Sequence, residues 1–288
     1  MTFLVILVVL FISFLVLNQA LERMYQKEKI PHRATPEKIG ISFEEVHIPA
    51  EKGSQLYGWW IPVSPFAPTL ILVHGWGRNV ERMMPYISKL RTMGYNLLAF
   101  DARNHGNSTP EKHPTVWTFA QDIRAAVHFV IESSRVSSKK IGIIGLSVGG
   151  GAAIDAAVLD KQVQSVVSIG AISHPVEVMK LEFQKRHIPY FPLGWLLLKY
   201  IQMHFGLNFE HIAPINNISQ VQAHIFLIHG DEDATIPLAQ GKALKQAGNP
   251  ERTFLWVVPG KGHSNCYTHP QFWEKVKAFL QETIPITI

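Results

Sequence analysis

From residue 69 onward, short apolar runs alternate with segments of helical periodicity, and this alternation most constrains the fold. The runs TLILVHG (69–75), NLLAFD (96–101), KIGIIG (140–145), SVVSIGA (165–171), HIFLIHG (224–230) and TFLWVVP (253–259) have the length and continuity of buried strands. Between them, 80–93, 119–133, 152–159, 238–247 and 271–282 read as helices. This pattern predicts an α/β fold, a mostly parallel twisted sheet with helices on both faces. Upstream, FEEVHIP (43–49) and SQLYGWWIPV (54–63) predict two antiparallel strands that turn at 51–54. With 288 residues, 47% of them hydrophobic, the chain can bury such a core as one large domain.

Two stretches stand outside the alternation. Residues 172–214 are long, aromatic and interrupted by Pro189 and Pro192, so they predict a helical cap inserted above the sheet. The N-terminal run TFLVILVVLFISFLVL (2–17) carries no charge and reaches a bilayer span if 18–20 enter the interface. A cleaved signal peptide fits less well, because no basic region precedes it and Asn18 stands where a small residue is wanted. The expectation is a single-pass transmembrane anchor at 1–20, a linker at 21–40 and a catalytic domain at 41–288. Arg23, Lys27, Lys29 and Arg33 follow the anchor against Glu22 and Glu28, which places the domain on the cytoplasmic side.

The stretch KKIGIIGLSVGGGAAIDAAVL (139–159) sets one serine among glycines between a strand and a helix. The glycines lack the 1, 3, 6 spacing of a dinucleotide fingerprint, and no lysine follows them as a P-loop needs. What matches is Gly145-Leu146-Ser147-Val148-Gly149, the G-x-S-x-G turn that lifts a serine hydroxyl clear of the backbone. The small neighbours make room for a strained turn, and the N–H of Val148 sits at the positive helix end, aimed at a developing oxyanion.

A serine nucleophile needs a base and a carboxylate that orients the base, and loops at the carboxyl ends of strands supply both. Asp231, Glu232 and Asp233 follow one strand, and His263 follows the next. The order Ser147, Asp233, His263 is the chain order such a triad takes when its serine sits on a strand–turn–helix elbow, with Asp231 the runner-up acid. The chain has 14 histidines, so position at a strand end is weak evidence by itself. His74 and His229 precede glycines at strand ends and read as loop supports. Cys266 is the single cysteine, so no intramolecular disulfide forms, and it reads as an idle thiol. The loop HGWGRN (74–79) follows the first parallel strand, and the N–H of Trp76 is the expected second oxyanion donor.

The motifs HGWGRN, DARNHGNS, GLSVGG, HGDEDATIP and GKGH, in this order, resemble the serine-hydrolase (esterase/lipase-like) branch of the α/β-hydrolase superfamily, over nearly everything from Ile41 onward. The resemblance implies the α/β-hydrolase fold, Ser147 as nucleophile, His263 as base and Asp233 as acid. In DARNHGNS (101–108), Asn104 stands where the family has glycine, in a structural loop.

The expected activity is hydrolysis of carboxylic esters, with lipid or acyl esters suggested by the anchor and apolar cap. Thioesterase, acyltransferase and acyl-peptidase-like activities use the same constellation, and an inactive membrane-tethered ligand-binding or scaffold protein is the alternative of another class. The sequence calls for no metal and no cofactor. The net charge of +5 is scattered rather than gathered into a stripe, which argues against nucleic acid as a partner.

Overall fold

The computed structural model describes residues 2–25 and 29–286, with some side chains of the first helix outside the described set. The N-terminal helix α1 (Thr2–Tyr25) leads to β1 (Glu44–Pro49) and β2 (Gln55–Ile61). There follow β3 (Thr69–Val73), α2 (Met84–Thr92), β4 (Asn96–Phe100), α3 (Val116–Glu132), β5 (Ile141–Leu146), α4 (Val148–Leu159) and β6 (Val163–Ile169). After β6 come α5 (Pro175–Lys185), α6 (Trp195–Phe205) and α7 (Pro214–Asn217). The chain closes with β7 (His224–Gly230), α8 (Leu238–Ala247), β8 (Thr253–Val258) and α9 (Phe272–Thr283).

The strands make one eight-stranded sheet in the order β1-β2-β4-β3-β5-β6-β7-β8. β1 and β2 pair antiparallel, as do β2 and β4, and every pair from β4–β3 to β7–β8 is parallel. The inner strands β3, β4 and β5 are buried along their whole length because both faces are covered, whereas the edge strand β8 is only partly buried. Ile71, Val73, Ile143 and Val166 face a core shared with α3 and α4, through Phe119, Ile123 and Ala153. Leu70, Leu72, Ile144 and Val167 face a second core with α2 and α9, through Leu90, Phe272 and Leu280. Full burial of each such leucine or isoleucine contributes about 1.5–3 kcal/mol, and the alternation of faces fixes the register.

Two helices start earlier than their apolar spacing suggests. α3 starts at Val116 because Thr115 caps it: the Thr115 and Thr118 side chains each accept the other's backbone N–H. α4 starts at Val148, so three consecutive glycines fall in its first turn. Glycine costs about 1 kcal/mol relative to alanine in a helix, yet close packing requires it here. A Cβ on Gly150 would lie 3.0 Å from the Gly145 carbonyl oxygen, and one on Gly151 would lie 3.1 Å from Ile172 and Pro214.

The stretch 172–214 forms helices, and its Phe183, Leu198, Ile201 and Phe209 belong to the same core cluster as residues of α3 and α4. Trp117 meets His211 with ring centroids 4.9 Å apart, and His113 meets Phe205 at 4.2 Å. Among the described residues, no helix is long and apolar enough to cross a membrane, so the structure does not support the transmembrane span expected at 1–20. α1 instead runs beside α6, where Phe14 meets Tyr200 edge-on at 6.0 Å and Tyr200 donates a hydrogen bond to the Asn18 side chain. Of the expected linker, residues 26–28 lie outside the described residues, while 29–33 lie against the body. His32 Nε2 is 2.8 Å from the buried Asp101 carboxylate, and the Arg33 N–H donates to Glu81.

Candidate active site

β5 ends at Leu146 and α4 begins at Val148, so Ser147 alone makes the turn, at φ 56° and ψ −119°. A residue with a Cβ pays about 1–3 kcal/mol for such a backbone. The surroundings hold it there. The Ser147 N–H donates to the Ile169 carbonyl at 2.8 Å, and the Ser147 carbonyl accepts from Gly150 and Gly151 at 2.9 and 3.1 Å. The flanking glycines are steric requirements. A Cβ on Gly145 would lie 2.2 Å from the Gly149 carbonyl oxygen, and one on Gly149 would lie 2.4 Å from that of His74.

His263 stands on the loop between β8 and α9. The loop is stapled from several sides: the Gly262 N–H donates to Asn265 Oδ1 at 2.8 Å, and Arg82 donates to the Ser264 carbonyl at 2.6 Å. His263 Nδ1 lies 2.7 Å from Asp233 Oδ2. The other oxygen, Asp233 Oδ1, accepts the N–H groups of Thr235 and Ile236 at 2.9 and 2.8 Å. Burial opposes the charge on Asp233, but the His263 hydrogen bond and the two backbone N–H donors outweigh it and hold the carboxyl below its ordinary value. An ionised carboxylate only accepts, so Nδ1 of His263 is the donor to Asp233, the tautomer that turns Nε2 toward other partners.

Ser147 and His263 line one small cavity of about 70 Å³ together with Trp76, Arg78, Arg82 and Cys266. The Ser147 hydroxyl makes no hydrogen bond with the described residues, and such contacts often tighten only when substrate is bound. Gly75 brings the loop after β3 against the serine, since a Cβ there would lie 3.2 Å from that of Ser147. Trp76 follows directly, while Val148 opens α4, so both expected donor N–H groups flank Ser147 in the chain or in space.

The remaining candidates separate by what they touch. Asp231 accepts the Gly260 N–H at 2.8 Å and supports the turn after β8, not the histidine. His74 bridges its own loop to the next: its Nδ1 is 2.8 Å from the Gly75 carbonyl, and its Nε2 accepts the Ala102 N–H at 3.1 Å. His229 lies behind Asp233, with Nε2 2.8 Å from the Ile236 carbonyl. Burial lowers the pKa of both rings, in keeping with neutral structural imidazoles. Cys266 lines the cavity, but burial pushes its thiol up to about 11, which leaves little thiolate. Asn104 adopts φ 64°, a left-handed conformation that asparagine tolerates far better than most residues, so it can occupy a glycine position.

Three features were not predicted from sequence. Gly170, at φ 58°, floors the histidine, and a Cβ there would lie 3.2 Å from His263 Nδ1. Arg78 and Arg82 line the cavity, whereas no residue of 172–214 does. An isolated glycine at a strand end and two arginines near a helix start carry no signal until the fold brings them to the serine. Among the described residues, no group of three or more His, Cys, Asp or Glu could hold a metal ion.

The chain has the α/β-hydrolase fold, and residues 68–197 match the family model described as alpha/beta hydrolase fold. A solved esterase of Pyrococcus furiosus, Pf2001, superposes with a TM-score of 0.73 at 25% identity, over 89% of this chain and 99% of that one. YfhR of Escherichia coli is 26% identical over 79% of this chain and 75% of its own length. Alpha/beta hydrolase domain-containing protein 17C of Xenopus laevis is 24% identical over 82% of this chain and 68% of its own. These likenesses support a hydrolase.

Proposed function

We propose that the protein is a serine hydrolase that cleaves carboxylic esters through an acyl-enzyme. The observation that carries this reading is Ser147, held in a strained turn, sharing a cavity with a histidine whose Nδ1 is bound by a buried carboxylate. Ser147 Oγ attacks the acyl carbonyl as His263 Nε2 takes its proton, and Asp233 stabilises the imidazolium. The N–H groups of Trp76 and Val148 hold the oxyanion. His263 then gives the proton to the leaving alcohol, and a water it deprotonates releases the acid. Thioesters and activated amides would pass through the same steps, and an acyltransferase would replace the water with another alcohol.

The test is a fluorophosphonate probe, which forms a covalent bond only with an activated serine. We expect stoichiometric labelling of the native protein. A folded protein that resists the probe would favour the inactive ligand-binding or scaffold alternative. The same preparation settles acyl length. The cavity is far below the roughly 300–1,000 Å³ of drug-sized ligand sites, and the cap contributes nothing to it, so short acyl groups should outperform long ones. Higher kcat/KM for long-chain esters would favour the lipid-ester reading.

Attachment to a membrane is a separate part of the proposal. It rests on exposed apolar side chains: Phe11, Ile12, Phe14, Leu15 and Val16 on α1, and Phe191, Leu193, Leu196 and Met203 on or beside α6. Side chains of this kind bury into the lipid interface when a helix lies on a bilayer. The protein should float with phosphatidylcholine–phosphatidylserine vesicles, and serine at Phe191, Leu193 and Met203 should weaken flotation severalfold. Failure of the native protein to float would remove both the anchor and the cytoplasmic placement that depends on it.

A further inference from the structure

We propose that the substrate carries an anionic group, a carboxylate or a phosphate, read by Arg78 and Arg82 at the mouth of the Ser147 cavity. The inference rests on the hydrolase reading only for the step that follows binding. Both arginines are among the residues that line the cavity with Ser147 and His263, and no aspartate or glutamate lines it with them. Arg78 is exposed, and its guanidinium has no hydrogen bond or ion pair with the described residues. The nearest acid in sequence, Glu81, is engaged elsewhere, accepting the Arg33 N–H at 2.9 Å.

Arg82 is held in place. One of its nitrogens donates to the Ser264 carbonyl at 2.6 Å, next to His263, and its guanidinium lies 5.5 Å from the centre of the Tyr267 ring. That bond uses one donor of a five-donor fork, on a residue that lines a cavity without an acidic side chain. The loop that carries Trp76 also carries Arg78 two residues on, so the oxyanion donor and the charge are positioned together. A planar guanidinium binds a carboxylate or phosphate through two parallel hydrogen bonds, which fixes orientation as well as adding affinity. Two such forks beside the nucleophile would hold the anionic end of a substrate while its ester carbonyl lies over Ser147.

The experiment compares matched ligands: phenyl butyrate with the phenyl monoester of succinate, and acetylglycerol with its 3-phosphate. Binding is measured by calorimetry on Ser147→Ala, where the ester persists, and turnover on the native protein. We expect the anionic member of at least one pair to bind about tenfold more tightly, with the advantage falling as salt is raised. The pair that shows it distinguishes carboxylate from phosphate. Arg78→Gln should remove most of this difference by weakening the anionic ligand more than its neutral twin. Arg82→Lys keeps the charge and should retain part of it.

Equal binding of both members of both pairs overturns the inference, as does an Arg78→Gln effect of the same size on neutral and anionic ligands. Because binding is read without turnover, selective binding with no hydrolysis leaves anion recognition standing and removes the hydrolase reading. Hydrolysis without charge preference does the reverse.

Discussion

Ester turnover is expected to fall by on the order of 10⁴- to 10⁶-fold in Ser147→Ala, with the fold intact and fluorophosphonate labelling abolished. The expected size follows from the role: without Oγ there is no covalent route, and only binding and the oxyanion donors remain. Alanine carries a Cβ like serine, so it inherits the same φ of 56° and leaves the backbone strain unchanged. Ser147→Gly separates the two properties. Glycine adopts this conformation without steric cost, so this variant should be equally inactive and about 1 kcal/mol more stable, after allowing for its larger unfolded-state entropy. Denaturant unfolding of the three proteins checks this. A glycine variant less stable than the alanine one would show that the turn is not strained in the way its dihedral angles indicate.

Asp233→Asn is expected to lower kcat by about 10⁴-fold with little change in KM. The carboxylate accepts from both sides: Thr235 and Ile236 at one oxygen, His263 Nδ1 at the other. An asparagine can keep the backbone bonds through its carbonyl oxygen, and its amide N–H₂ then faces Nδ1. The imidazole must respond by accepting there and carrying its proton on Nε2, which is the wrong tautomer for taking a proton from Ser147. Asp231→Asn, by contrast, should cost little activity, since that side chain supports only the Gly260 turn. Equal losses in the two variants would overturn the choice of Asp233.

The pH dependence follows from the same contacts. The folded Asp233 carboxyl lies below its ordinary value of 3.8, so the stability it contributes is fully present above that value and is lost as pH falls through the lower folded one. Native Asp233 therefore stays ionised through the neutral range, and any activity limb seen there belongs to another group. Unfolding experiments should show the Asp233→Asn destabilisation shrinking only in strong acid. A difference that already collapses near neutral pH would mean that the carboxylate is not held as its contacts indicate.

The parallel sheet and the candidate nucleophile were legible because each rests on a local pattern. Continuous apolar runs mark strands buried on both faces, and G-x-S-x-G marks a turn at whose glycines a Cβ would lie only 2.2 and 2.4 Å from backbone carbonyl oxygens. Asp233 and His263 were legible by position, since loops at successive strand ends must meet above a parallel sheet. The start of α4 was legible from the turn motif, which put Val148 at the helix end, and not from apolar spacing, which begins only at Ala152. What the sequence did not name is the neighbours that require the glycines: the Gly145 carbonyl beside Gly150, and Ile172 and Pro214 beside Gly151.

The chain by itself determined the alternation of strand and helix, and the serine, acid and histidine that its motifs mark. Only the tertiary structure decided what surrounds them. The residues from 172 to 214, expected as a helical cap, meet α3 through His211 and Trp117, and the cavity lining includes two arginines from the region after β3. The physical reason is one of range. Periodicity and turn chemistry act between neighbours along the chain, whereas the chemistry of a pocket is set by side chains brought together from distant positions. Arg82 and Ser264 are 182 residues apart in sequence and joined by one hydrogen bond.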